Sequence, residues 1–159
     1  MKRIEGGKGV KPIELTNPVR DLWRVRWDVR AKDDGSADYM EEEFKGRPSV
    51  DAIRAMVTAW VNRQVDERIV SGFAWNGVPV WLSTENQFNF KAAFDLAVQT
   101  GGATLPVTFK LGTDADPVYQ TFDTLDGLRA FYTAAMAHIQ AALADGWRRK
   151  DSVNWAVYA

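Results

Sequence analysis

The chain has 159 residues, 46% apolar and 26% charged, the balance of an ordinary globular chain with one core or two small ones. A net charge of −1 gives no basic footprint for nucleic acid or a membrane surface. There is no cysteine and one histidine, His138, which excludes disulfides, thiolate zinc sites, cysteine nucleophiles and multi-histidine metal centres within one chain.

Residues 1–20 read as a flexible arm. Gly6, Gly7 and Gly9 loosen it, and Lys2, Arg3, Lys8 and Lys11 make it mildly basic. "KPIEL" has the pattern of a short edge strand that stops at Asn17-Pro18. Such an arm either stays solvated or orders against a partner.

A hairpin follows. Trp23, Val25, Trp27 and Val29 alternate with Arg24, Arg26, Asp28 and Arg30, which puts the apolar set on one sheet face. Asp34-Gly35 suits a two-residue type I′ turn. That turn pairs Val29 with Met40, Val25 with Phe44 and Arg26 with Glu43, and leaves Glu42 as a misfit opposite Trp27. Then Val50, Ile53, Val57, Trp60, Val61, Val65 and Ile69 recur at helical spacing, between Pro48 in a first turn and Gly72 at the stop.

The stretch "GFAWNGVPVWLSTENQFNF" carries a second hairpin signal at Asn76-Gly77. It pairs Trp75 with Val78 and Phe73 with Val80. Pro79 marks "VPVWL" as an edge strand, because its nitrogen has no hydrogen to donate. Thr84 and Gln87 form a capping box for a helix ending at Gly101-Gly102. With Phe88, Phe90, Phe94, Leu96 and Val98 in it, that helix is expected to be buried on most sides. "TLPVTFKLG" and "PVYQTFDT" form a third hairpin across "GTDAD". The last helix buries Leu125, Leu128, Tyr132, Ala135, Met136, Ile139 and Leu143. Beyond it, Trp155 and Tyr158 either continue the helix or dock on the body.

The expected fold is α+β: an N-terminal β-hairpin plus helix, then a β-β-α-β-β-α domain of antiparallel hairpins packed on helices. The boundaries are an arm at 1–20, a β-β-α unit at 21–66 and the larger domain at 67–159.

Chemistry is sparse. A lone helical His138 beside Ile139 reads as structural, with no hydroxyl nucleophile motif to serve. Asp114, Asp116, Asp123 and Asp126 suit turns and a helix cap better than a glycosidase-like pair. Calcium-loop and phosphate-loop spacings are missing. Arg24, Arg26 and Arg30 form a phosphate-gripping face unless Glu41 and Glu43 beside them neutralise it. No run of residues is long and apolar enough to span a bilayer, and "MKRIEGGKGV" lacks the apolar core of a signal peptide.

"SGFAWNG", "VWLSTENQFN" and "GWRRKDSV" carry a resemblance that spans residues 67–154. The stretch resembles the domain-of-unknown-function 4376 family of bacteriophages and prophages. The resemblance implies a setting among tail-fibre and baseplate proteins and brings no catalytic residues with it. The expected function is a non-enzymatic tail-region protein, a virion component or a tail-fibre assembly factor. Its expected partners are other tail proteins or a second copy of itself, with no cofactor, nucleic acid or membrane. Its expected location is the host cytoplasm during assembly and the virion tail. The alternative is a glycan-binding module using exposed aromatics. Candidate partner or ligand contacts are Trp75, Pro79, Trp81, Trp155, Tyr158, Arg24 and Arg26.

Overall fold

A computed structural model describes residues 1–159. The fold is α+β, with antiparallel hairpins packed on helices. It divides into two compact units, Met1–Trp60 with Ser152–Ala159, and Val61–Asp151. The boundary thus falls earlier than the 66/67 junction read from the sequence, and the last eight residues return to the first unit.

In the first unit, β1 (Lys2–Gly7), β2 (Ile13–Asn17), β3 (Leu22–Ala31) and β4 (Ser36–Lys45) form one antiparallel sheet in the order β1-β4-β3-β2. The expected arm at 1–20 is therefore two outer strands. One of its glycines makes room rather than slack. A Cβ on Gly6 would stand 2.7 Å from the Tyr39 hydroxyl, so the missing side chain admits that ring.

The β3–β4 hairpin is real, but its register differs from the expected one. Trp27 pairs with Met40, Val25 with Glu42, Arg26 with Glu41 and Trp23 with Phe44. Two local departures cause the difference. Only Gly35 in the loop has positive φ, at 85°, and Lys32 N–H bonds the Ser36 carbonyl at 2.9 Å. The connection is thus a three-residue loop with a left-handed glycine, not a two-residue turn. A bulge between Trp27 and Arg30, with Asp28 at φ 51°, adds a second residue of shift. Two single steps restore the original face for Trp23, Val25 and Trp27, but Val29, expected on that face, lies in the bulge and is 47% exposed. Glu42 falls opposite Val25 and meets the Met1 ammonium group.

The helix α1 (Val50–Ser71) is capped by Ser49, whose hydroxyl accepts from Ala52 N–H at 3.2 Å. Ile53, Val57 and Trp60 are buried, and Trp60 meets Trp27 edge-on with ring centres 6.0 Å apart. At the chain's end a 3-10 turn, Trp155–Tyr158, docks Tyr158 into this unit. The Tyr158 hydroxyl donates to the buried Arg26 carbonyl at 2.9 Å. The Arg26 N–H bonds the Pro12 carbonyl at 2.7 Å, so that side of β3 faces β2. Tyr158 therefore supplies the bond that β2, which begins at Ile13, does not.

The second unit contains the rest of α1, then β5 (Phe73–Trp75), β6 (Val78–Val80), α2 (Thr84–Gln99), β7 (Val107–Gly112), β8 (Pro117–Phe122) and α3 (Leu125–Asp151). The β5–β6 hairpin has the expected register, with Asn76 and Gly77 at φ 49° and 81°. The cap of α2 is Ser83 rather than Thr84: its hydroxyl accepts from Asn86 N–H at 3.2 Å. The cap of α3 is Thr124, which accepts from Gly127 N–H at 3.1 Å.

Phe131 of α3 is fully buried at the centre of this unit. Ring centres of Phe90, Phe122, Trp75, Phe109 and Phe73 lie 5.1, 5.1, 5.4, 5.7 and 6.2 Å from its own. The buried stripe of α3 is accordingly Leu128, Phe131, Ala135, Ile139, Ala142 and Gly146, rotated from the expected stripe toward Phe131. Gly146 lets α3 approach α1 closely, since a Cβ there would come within 2.4 Å of Val65. His138 is half-buried on α3 and bonded within the fold. Its Nε2 lies 2.8 Å from the Arg68 carbonyl near the end of α1. A carbonyl only accepts, so the ring donates from Nε2, to a carbonyl that also accepts the Gly72 N–H at 2.9 Å.

Replacing Phe131 by Ala should cost about 3–5 kcal/mol in urea unfolding, the range for a large buried ring. Tyr158→Phe should cost about 1 kcal/mol near neutral pH, because a buried carbonyl loses its donor. Burial also pushes the Tyr158 hydroxyl's pKa up. The folded chain then holds a proton that the unfolded chain releases near pH 10, so stability falls as pH rises beyond about 10. Tyr158→Phe should show a shallower alkaline loss of stability when unfolding is followed against pH.

Candidate functional site

The second unit has an open groove of about 670 Å³ beside β6 and β7. These strands run close together but exchange no ladder hydrogen bonds. Pro79 explains the gap. It pairs with Ala74 between the closing pair Trp75–Val78 and the pair Phe73–Val80, so its nitrogen points away from β5. That nitrogen has no hydrogen, so the outer edge of β6 cannot extend the sheet there.

Trp81 rises from the linker between β6 and α2 and lines the groove with 56% of its surface exposed. Asn86, in the first turn of α2, holds that linker: its Nδ2 donates to the Trp81 carbonyl at 2.8 Å. Gln87 does the same for Leu82, also at 2.8 Å. The amides therefore fasten the helix start. Across the groove, Lys110 Nζ reaches Asp114 at 3.1 Å, and Thr113 accepts from Asp116 N–H at 3.0 Å. Ser71 completes the rim. The walls combine one exposed indole, an amide, two hydroxyls and a balanced ion pair.

Of the candidate contacts, the groove unites only Trp81 and Pro79. Trp75 is a correction: it packs edge-on against Phe131 and tilted against Phe122, so most of its ring belongs to the core. The remaining candidates lie in the other unit. Tyr158 is buried and engaged with Arg26. Trp155 is half-buried, with the Arg54 guanidinium 5.3 Å over its ring. Arg26 is buried between Glu41 and Glu14, at 2.8 Å from each, and bonds the Lys11 carbonyl at 3.1 Å. Those carboxylates hold the guanidinium charged, and Arg26 in turn lowers the pKa of Glu14. Arg24 lies 3.6 Å from Glu41 and 3.5 Å from Glu43. The arginine face is thus neutralised within the sheet and does not present free cations for phosphate.

Other surface residues were not singled out by the pattern. Phe88 is 70% exposed, and Leu96 and Val98 are half exposed. The helix α2 buries fully only Phe90 and Ala97, which corrects the expectation of a helix covered on most sides. Phe88 stands two residues, about 200°, around the helix from Phe90, so one core cannot take both. Tyr119 on β8 and Trp147 on α3 are also exposed.

Residues 52–159 match the model of the family described as Domain of unknown function (DUF4376). The chain belongs to that family. No curated protein matches the chain, and no solved structure does. The DUF4376 match begins inside α1, takes in the groove and the docked 3-10 turn, and leaves out the strands β1 to β4. "VWLSTENQFN" supplies Trp81 and Asn86 at the groove, and "GWRRKDSV" supplies the close-approach Gly146 and the exposed Trp147. No helix is long and apolar enough to cross a membrane.

Asn86→Ala should cost up to about 1 kcal/mol, the usual worth of one hydrogen bond. Hydrogen exchange should speed up around residues 81–83 and stay unchanged in β7.

Proposed function

We propose that this DUF4376 chain is a non-catalytic phage or prophage tail-region protein that works through protein–protein contacts, as a virion component or as a tail-fibre assembly factor. The observation that carries the contact role is the outward aromatic surface of the second unit: Phe88, Tyr119, Trp81 and Trp147 each leave more than half of their surface in solvent. Large rings held outward cost solvation in the free protein and return it on docking, at about 25 cal/mol per Å² of apolar area covered. Aromatic side chains also dominate the energetic centres of protein interfaces. The tail setting comes from the resemblance carried by "SGFAWNG", "VWLSTENQFN" and "GWRRKDSV". On this reading the chain works in the host cytoplasm during assembly, and in the tail if it is a virion part.

A second reading is favoured by one feature. Trp81 faces an open groove whose rim carries Asn86, Ser71 and Thr113, an arrangement suited to stacking and hydrogen-bonding a sugar ring.

Particles purified from an induced lysate should contain the chain, or fibres should fail to form without it. Normal fibres on particles that lack it would overturn the proposal. Trp81→Ala and Phe88→Ser should each weaken retention on immobilised tail proteins by tenfold or more, with unchanged circular dichroism. A glycan array that stays blank removes the sugar reading.

A further inference from the structure

We propose that the chain self-associates through β1, two copies joining antiparallel about a two-fold axis at Ile4. β1 is the outer strand on one side of the first unit's sheet, and its partner β4 covers one edge only.

Which groups of β1 face outward follows from the ladder. The Arg26 N–H bonds Pro12, so Arg26 faces β2, and its neighbours Val25 and Trp27 face β4. Their partners Glu42 and Met40 therefore face β3, and Tyr39 and Glu41 face β1. Tyr39 and Glu41 pair with Ile4 and Lys2. Hence Lys2, Ile4 and Gly6 spend their backbone groups inward, and Arg3, Glu5 and Gly7 present theirs outward.

A second β1 strand has four two-fold registers that join outward groups to outward groups over three or more residues, and the one centred on Gly6 pairs only Glu5 with Gly7 and leaves Arg3 beyond the overlap. Centring on Arg3 sets Arg3 against its own copy. Centring on Glu5 sets Glu5 against its own copy. Centring on Ile4 sets Arg3 against the second copy's Glu5, twice, with the two Ile4 side chains adjacent across the axis. Opposite charges directly across a ladder stabilise it and like charges destabilise it, so the charge order selects Ile4. A charged edge ordinarily repels other strands; this one favours a single register, the only one that sets opposite charges across the axis.

The existing ion pairs extend the same network. Arg3 already meets Asp28 and Asp38, Arg30 meets Asp28, and Lys32 meets Glu5. Across the axis the signs alternate from Lys32 to Glu5, then to Arg3 and Asp28 of the second copy. The other outer strand does not offer this. β2 faces Ile13 and Leu15 outward, and its two-fold register between them sets Glu14 against its own copy. Its ladder is also broken between Leu15 and Asn17. An isologous β1 contact closes on itself and leaves no strand edge for a third copy at that site. β1 lies outside the family-matched residues, so this contact stands or falls separately from the tail-region reading.

The test uses the full chain. Sedimentation equilibrium should give twice the 17.9 kDa chain mass. The chain has no cysteine, so Ile4→Cys introduces one thiol per copy. The paired Cα atoms in such a non-hydrogen-bonded pair lie about 4.5 Å apart, within disulfide reach. Mild oxidation should therefore give a covalent dimer, and Leu15→Cys on β2 should not. Glu5→Pro removes an outward donor and spares the bonds to β4; Glu5→Arg places like charges across the axis. Each should return the chain to monomer with unchanged circular dichroism. A monomer at every concentration, cross-linking of Ile4→Cys no better than of Leu15→Cys, or a dimer that survives both Glu5 substitutions would overturn the proposal.

Discussion

The second unit depends on one ring. Phe131 receives side chains from β5, α2, β7 and β8, and none of those elements makes a large sheet of its own. Two-stranded hairpins are marginal when isolated. Here each has one apolar face, and each directs an aromatic ring at the same point on α3. The hairpins need not share a ladder because they share a core. That is why the sheet can stay open at Pro79 without loss of the fold, and why a groove can exist beside it.

Much of this was legible in the residues. Asn76-Gly77 carried its hairpin because turn chemistry and alternation agreed within a few residues. The helix α1 was legible for the same reason, with seven apolar positions at one spacing and stops at both ends. The β3–β4 register was harder. Its alternation held for Trp23, Val25 and Trp27 but not for Val29, and a left-handed Gly35 and the Asp28 bulge each moved the pairing by one residue. Neither follows from a hydrophobic pattern, because a bulge depends on what the neighbouring strand requires. Residues 1–20 looked like an arm because glycine content suggests freedom; in the sheet, Gly6 is demanded by the Tyr39 ring above it.

The groove was legible in part. Pro79 and Trp81 could be singled out from a strand pattern with a broken donor row. Lys110, Thr113 and Asp114 could not, since they come from a hairpin some thirty residues away that only the tertiary fold brings near. Trp75 and Trp81 illustrate the limit. Both are tryptophans flanking one edge strand, yet one enters the Phe131 cluster and the other faces solvent. Strand parity separates their faces; only packing decides which face becomes core.

The bond from Tyr158 to Arg26 joins residues 132 positions apart, and the whole second unit lies in the chain between them. The first unit is therefore a split structure with the second inserted into it. During synthesis, all four strands of the sheet precede the inserted unit, yet the donor for the Arg26 carbonyl follows it. The inserted unit has its complete sequence by Asp151, before the surrounding unit has its own. The order of completion is thus the reverse of the order of appearance.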